Sequence, residues 1–116
     1  MAASRQCLVV LVTCPNRRQA KQLAHSVVRQ RLAACVNLIP DVHSWFWWRG
    51  RLDQATEALL VMKTSVQRFA RLRRIILAEH PYDVPEILAL PIVNGHAPYL
   101  QWLLESLSAP RSPQRG

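Results

Sequence analysis

The sequence predicts an α+β sandwich: a four-stranded antiparallel sheet with two helices on one face and a further helix at the C-terminus. Three observations predict it. Runs rich in apolar residues at 7–13, 35–48, 51–63 and 87–93 have the length and composition of strands. Two stretches with apolar residues at helical spacing, each opened by a capping signal, fall between the first and second and between the third and fourth runs. Only Arg49-Gly50 separates the second run from the third, so these two form a long hairpin.

Each element has a local cause. CLVVLVT at 7–13 is apolar at every other position and between, as in a strand covered on both faces. Asn16 offers an N-cap and Gln19, three residues on, its capping-box partner. Ala20, Leu23, Ala24, Val27, Val28 and Leu32 then recur on one face, which predicts a helix over 16–33. Pro40 interrupts the second strand and calls for a bulge or bend. Gly50 tolerates the positive φ of a tight hairpin turn. Thr64 and Gln67 form a second capping box, and Val66, Phe69, Leu72 and Ile76 line one face of the second helix until Pro81 stops it after His80. Pro91 puts the fourth strand at an edge or a bulge. Gly95 turns the chain into a short last helix marked by Leu100, Leu103, Leu104 and Leu107. The order β-α-β-β-α-β is the split βαβ, or ferredoxin-like, arrangement. It leaves one sheet face open, and the last helix suffices to cover only part of it.

The 116 residues suit one domain, here 7–107, between a flexible start at 1–6 and a disordered tail at 108–116 (SAPRSPQRG). No apolar run reaches the length of a membrane span. Thr13, Cys14, Pro15 and Asn16 lead straight into a helix pattern rather than a signal-peptide cleavage site. Three cysteines without CxxC spacing argue against a disulfide framework and a structural zinc site, and for a reducing, cytoplasmic setting. The net charge of +8 is spread along the chain, with Arg68, Arg71, Arg73 and Arg74 forming a solvated helix face.

HSWFWWRGRL at 43–52 holds three of the four tryptophans. On a strand, Trp45 and Trp47 point one way and Phe46 and Trp48 the other. A domain this small cannot cover both faces of a hairpin tip, so these rings form a contact surface for copies of the same chain. Aromatics on such a sheet beside basic residues also suggest RNA stacking. The glycine- and aromatic-rich motif of the RNA-recognition module is absent, however, and no nucleic-acid partner is expected.

HPYDVPE at 80–86 carries the densest chemistry. His80, Asp83 and Glu86 combine imidazole with carboxylates, a set suited to Cu(II), Zn or Ni, and Cys14 is placed to approach as a soft ligand. The competing reading makes His80 a helix C-cap and pairs Glu86 with Lys63 or an arginine. No G-x-S-x-G, P-loop or G-x-G-x-x-G occurs, and no base stands beside Cys14 in the sequence. An acylphosphatase-like enzyme holding phosphate with Arg17 is conceivable by fold analogy alone.

Several segments together resemble one known family. These are TCPN at 13–16, RLAACVNLIP at 31–40, Ser44, Phe46, Trp48 and Gly50 in the hairpin, KT at 63–64, HPYDVPEI at 80–87, ALP at 89–91 and YLQWL at 99–103. They resemble the CutA family of divalent-cation tolerance proteins, in its animal-like branch, over about residues 8–107. The resemblance implies a homotrimer of ferredoxin-like subunits in which the hairpin of one pairs with its neighbour's sheet. It also implies a non-enzymatic role in metal tolerance through Cu(II) or another divalent metal, held weakly by His80 and Glu86. A cysteine proposed as copper ligand in bacterial members falls here at Val12 and a histidine ligand at Glu79; only Glu86 keeps its type. Trp45 and Trp47 depart from the family pattern and make the hairpin more apolar. Animal relatives are associated with acetylcholinesterase assembly, which extends to this chain as an expected scaffolding role. Similarly folded PII signalling trimers suggest, as an alternative, that inter-subunit clefts lined by Lys63, Tyr82, Glu86 and Trp48 bind a small anion.

Overall fold

The computed structural model describes residues 5–108. Most of the expected flexible start, residues 1–4, and most of the expected tail, residues 109–116, lie outside the described residues. The elements are β1 (Cys7–Cys14), α1 (Arg17–Arg29), β2 (Cys35–Trp48), β3 (Arg51–Ser65), α2 (Phe69–Glu79), β4 (Ile87–Pro91) and α3 (Ala97–Ser106). The strands form one antiparallel sheet in the order β2-β3-β1-β4, so β2 and β4 are its edges.

One sheet face carries α1 and α2. Val10 and Val12 of β1 and Leu60 and Met62 of β3 meet Leu23 and Val27 of α1 and Leu72 and Ile76 of α2, all buried. Each of these aliphatic side chains contributes about 1.5–3 kcal/mol on burial. The Asn16 side chain accepts the Gln19 N–H at 2.9 Å and its amide donates to Gln19 Oε1 at 3.1 Å, so α1 starts where the capping signal lies.

The helix ends at Arg29, four residues short of the expected 33. Arg31 takes a left-handed φ of 57°, the Leu32 N–H returns to the Val27 carbonyl at 2.9 Å and the Arg31 N–H to Val28 at 3.0 Å. This is the Schellman cap, with arginine where glycine is usual. Leu32 keeps its place in the apolar periodicity because it still reaches the core from the loop. The second capping box also differs. Ser65, not Thr64, accepts the Arg68 N–H, at 3.1 Å, while the Thr64 hydroxyl donates to the buried Leu32 carbonyl at 2.7 Å. As a consequence α2 starts at Phe69 and Val66 is exposed.

The hairpin matches its sequence signals. Register shifts between Ile39 and Val42, with Asp41 at φ 59°, place a bulge beside Pro40. Arg49 and Gly50, at φ 52° and 76°, make a two-residue turn with both centres left-handed. β1 pairs only with residues 58–65 of β3, so residues 42–48 and 51–57 have only each other. At about 3.3 Å per residue this overhang projects roughly 23 Å beyond the rest of the sheet. β4 ends at Pro91, two residues short of expectation, because the missing N–H stops the ladder there.

The other sheet face is only partly covered. Leu100, Leu103 and Leu107, from α3 and the residue that follows it, bury Cys7 at one end. Arg31 and Arg68 donate to the Ser106 and Leu107 carbonyls, each at 2.7 Å, and fasten that helix at its C-terminus. The remainder of the face, set by register, is Val9, Leu11, Ile39, Leu59, Val61, Leu88 and Leu90, all half-buried or exposed.

Candidate functional site

At the C-terminal end of β1 four segments bring polar groups to the rim of this open face. His80 follows α2 and is 8% exposed. Its Nε2 lies 2.7 Å from the Thr13 carbonyl, and its Nδ1 accepts the Tyr82 N–H at 3.0 Å. A carbonyl demands a donor and an N–H demands an acceptor, so the partners assign the tautomer and occupy both ring nitrogens. The ring also packs at 4.9 Å from Tyr82.

The Tyr82 hydroxyl in turn donates to Glu57 Oε2 at 2.9 Å. Glu57 is 9% exposed and belongs to β3, where register places it on the open face two residues from Leu59. Burial, then the hydrogen bond and charge of Glu57, push the Tyr82 phenol up to about 12. Burial, then the Glu57 charge, push the Cys14 thiol up to about 11, so it stays protonated and poorly nucleophilic at neutral pH. Thr13 links the cluster to β4, its hydroxyl lying 3.5 Å from Glu86 Oε1.

His80 and Glu86, expected as metal ligands, are therefore joined through Thr13, one to its carbonyl and the other to its hydroxyl. The His80 nitrogens are both spent on the backbone. Among the described residues no group of three or more His, Cys, Asp or Glu side chains could hold a metal ion. The donor set of a single chain thus does not fit a resident metal. Asp83 is exposed, Val12 lies in the core, and Glu79 accepts from the Ser26 hydroxyl at 3.0 Å. Glu57 carries no motif in the sequence, and Thr13 stands out there only as the first residue of TCPN. The available signal was a carboxylate inside the apolar return strand, next to ALLVM.

Lys63 stands at the opposite end of the same face. Its ammonium donates to Asn37 Oδ1 and lies 4.0 Å from Cys35 Sγ. Six residues of β3 separate it from Glu57, roughly 20 Å along the strand. Lys63 and Tyr82, expected to line one cleft, do not meet within one chain.

The bulge decides which way the hairpin rings face. Ile39 opposes Leu59 and Val42 opposes Glu57, so Val42, Ser44, Phe46 and Trp48 continue the open face into the overhang. His43, Trp45 and Trp47 take the other side, with the His43 and Trp45 rings stacked 6.4 Å apart. Exposure is 36% for Phe46 and 52% for Trp48, against 65% for Trp45 and 74% for Trp47. Arg49 lies over the Trp48 ring at 5.5 Å. Arg71, Arg73 and Arg74 are exposed on α2, as a solvated face requires, but Arg68 precedes the helix and is half-buried, its guanidinium turned to the Leu107 carbonyl.

The sequence matches the CutA1 divalent ion tolerance protein family over residues 8–106. It is 44% identical over 99 residues to Protein CutA 1, chloroplastic, of rice, covering 85% of this chain and 56% of that one. It is 46% identical over 92 residues to human Protein CutA, covering 79% and 51%. The chain spans about half the length of these two relatives. The solved structure of the divalent cation tolerance protein of Thermus thermophilus superimposes with a TM-score of 0.85 at 44% identity, covering 86% of this chain and 97% of that one. Matched in sequence and fold across nearly all of its described core, the chain is a member of the CutA1 divalent ion tolerance family.

Proposed function

We propose that the chain acts as a homotrimer of ferredoxin-like subunits, without catalysis, in the cell's tolerance of divalent cations. The observation that carries this is the half-buried or exposed apolar surface of Leu90, Leu88, Leu11, Leu59 and Ile39, taken up again beyond Val42 and Ser44 by Phe46 and Trp48. A soluble chain gains about 1 kcal/mol for each such half-exposed side chain that it covers. The overhanging hairpin supplies the cover, laying Phe46 and Trp48 on the sheet of the next subunit. Trp45 and Trp47 then lie on its outer side as added apolar surface. Clefts between subunits bring Lys63 of one chain near Tyr82 of the next.

Engagement of Cu(II) or another divalent cation is weak and peripheral in this reading. The exposed imidazoles of His25, His43 and His96 offer free donor atoms, whereas His80 is held by the backbone and Glu86 accepts from the Thr13 hydroxyl. A Cys14 thiol that burial and the Glu57 charge keep protonated is a poor nucleophile, which supports a binding role over catalysis. The thiols of Cys14 and Cys35, which form no disulfide, suit a reducing compartment such as the cytoplasm. A scaffolding role toward a protein partner, including the acetylcholinesterase assembly linked to animal relatives, is compatible with a trimer that carries a spare aromatic face. Copper titration followed by tryptophan fluorescence tests the cation reading. Weak, saturable quenching that His43→Ala reduces supports it, and no quenching at millimolar copper contradicts it.

A further inference from the structure

The open face is electrically polar along its strands. Lys63 stands at one end, beside Val9 and Cys35, and Glu57 and Glu86 at the other, beside Thr13. Leu11, Val61, Leu59 and Leu88 lie between. None of the three charges has an ion-pair partner among the described residues, where the one ion pair is Arg17 with Asp41 at 2.7 Å. Lone charges at the ends of an apolar face are tolerated in water. Covered by another molecule, each loses its hydration and demands an opposite charge.

Within one chain the charges cannot meet, since roughly 20 Å of strand is far beyond a lysine side chain. A ring of identical subunits solves the problem. Its contacts are head-to-tail and join two different patches, so one end of a face is free to meet the opposite end of the next. The hairpin overhang leaves from the Glu57 end, so that end is the one directed at a neighbour. Both ends are also held ready. Asn37 fixes the Lys63 ammonium, and the Tyr82 hydroxyl fixes the Glu57 carboxylate.

We propose that Lys63 of each subunit pairs with Glu86 of the partner subunit and lies against the partner's Glu57 and its Tyr82 bond, forming a charged site that no single chain contains. The inference rests on the trimer reading and adds its register: the pair sets which end of one sheet meets which end of the next, while the apolar surface supplies the adhesion. It also gives Lys63 a structural task at the subunit contact.

Two measurements test it. The first is light scattering on dilution, for the natural chain, Lys63→Glu, Glu86→Lys and the double swap. Glu57 is buried and is left unchanged. Each single swap is expected to raise the concentration of half-dissociation at least tenfold, and the double swap to return it to within about threefold of the natural value. The second uses Lys63→Cys with Glu86→Cys in a Cys35→Ser background. The two new thiols are too far apart to join within a chain, so mild oxidation yields covalently linked trimers, which neither single cysteine variant gives. Silent charge swaps in a protein that is still trimeric overturn the pairing and leave the trimer standing. A natural chain that is monomeric overturns both.

Discussion

Replacing His80 by alanine separates a structural histidine from a metal ligand. The ring now satisfies the Thr13 carbonyl at 2.7 Å and the Tyr82 N–H at 3.0 Å, inside a site that is almost fully buried. Removing it orphans the carbonyl, at about 1–3 kcal/mol, and costs less at the part-buried N–H, which water reaches. Losing the ring's packing on Tyr82 adds a cavity. The sum is about 3–4 kcal/mol per subunit, which lowers Tm by roughly 15–25 °C for a chain of this size. His80→Gln, whose amide can still donate to Thr13, recovers part of the loss. Thermal unfolding followed by circular dichroism, at one fixed protein concentration, reads the effect. The copper response of the folded variant is expected to match that of the natural chain. Unchanged stability together with a lost copper response refutes the reasoning and returns His80 to the role of ligand.

The two sides of the hairpin differ in their predicted effects. Phe46 and Trp48 expose 36% and 52% of rings of about 200 Å² each, so covering them contributes about 4 kcal/mol per contact at ~25 cal/mol/Å². Phe46→Ser with Trp48→Ser is expected to dissociate the assembly at micromolar concentration, as read by sedimentation velocity. Trp45→Ser with Trp47→Ser is expected to leave the mass unchanged and to lower binding of a hydrophobic dye. Alkaline pH should weaken the fold through Cys14. Its folded pKa, about 11, lies above that of a free thiol, about 8.5, so its contribution is complete below the lower value and fades as pH rises through the higher. Urea midpoints measured between pH 8 and 11 should therefore fall less steeply in Cys14→Ala than in the natural chain.

Much of the fold was legible because local chemistry and global packing agree. Asn16 caps α1, Pro40 marks the bulge, Gly50 makes the turn, and Pro81 and Pro91 stop their elements. The misses occur where a side chain serves the core instead of its own segment. Leu32 continues a helical stripe from outside the helix. Thr64 bonds the Leu32 carbonyl and leaves the cap to Ser65. The site was less legible for a related reason. His80, Asp83 and Glu86 are close in sequence, but His80 turns inward to Thr13 and Glu86 sits outside, just before β4. Glu57, which organises Tyr82 and influences Cys14, arrives from another strand through a pairing that spacing does not reveal. The facing of the tryptophans followed from strand alternation. Which side continues the open face depended on a single inserted residue at the bulge.

The central claim is that sister chains cover the open face and the Phe46–Trp48 side of the hairpin. Multi-angle light scattering of the natural chain measures this directly. A mass near three times the 13.3 kDa chain, constant on dilution to low micromolar concentration, is the predicted result. A mass of one chain at every concentration, with that apolar face in water, contradicts it.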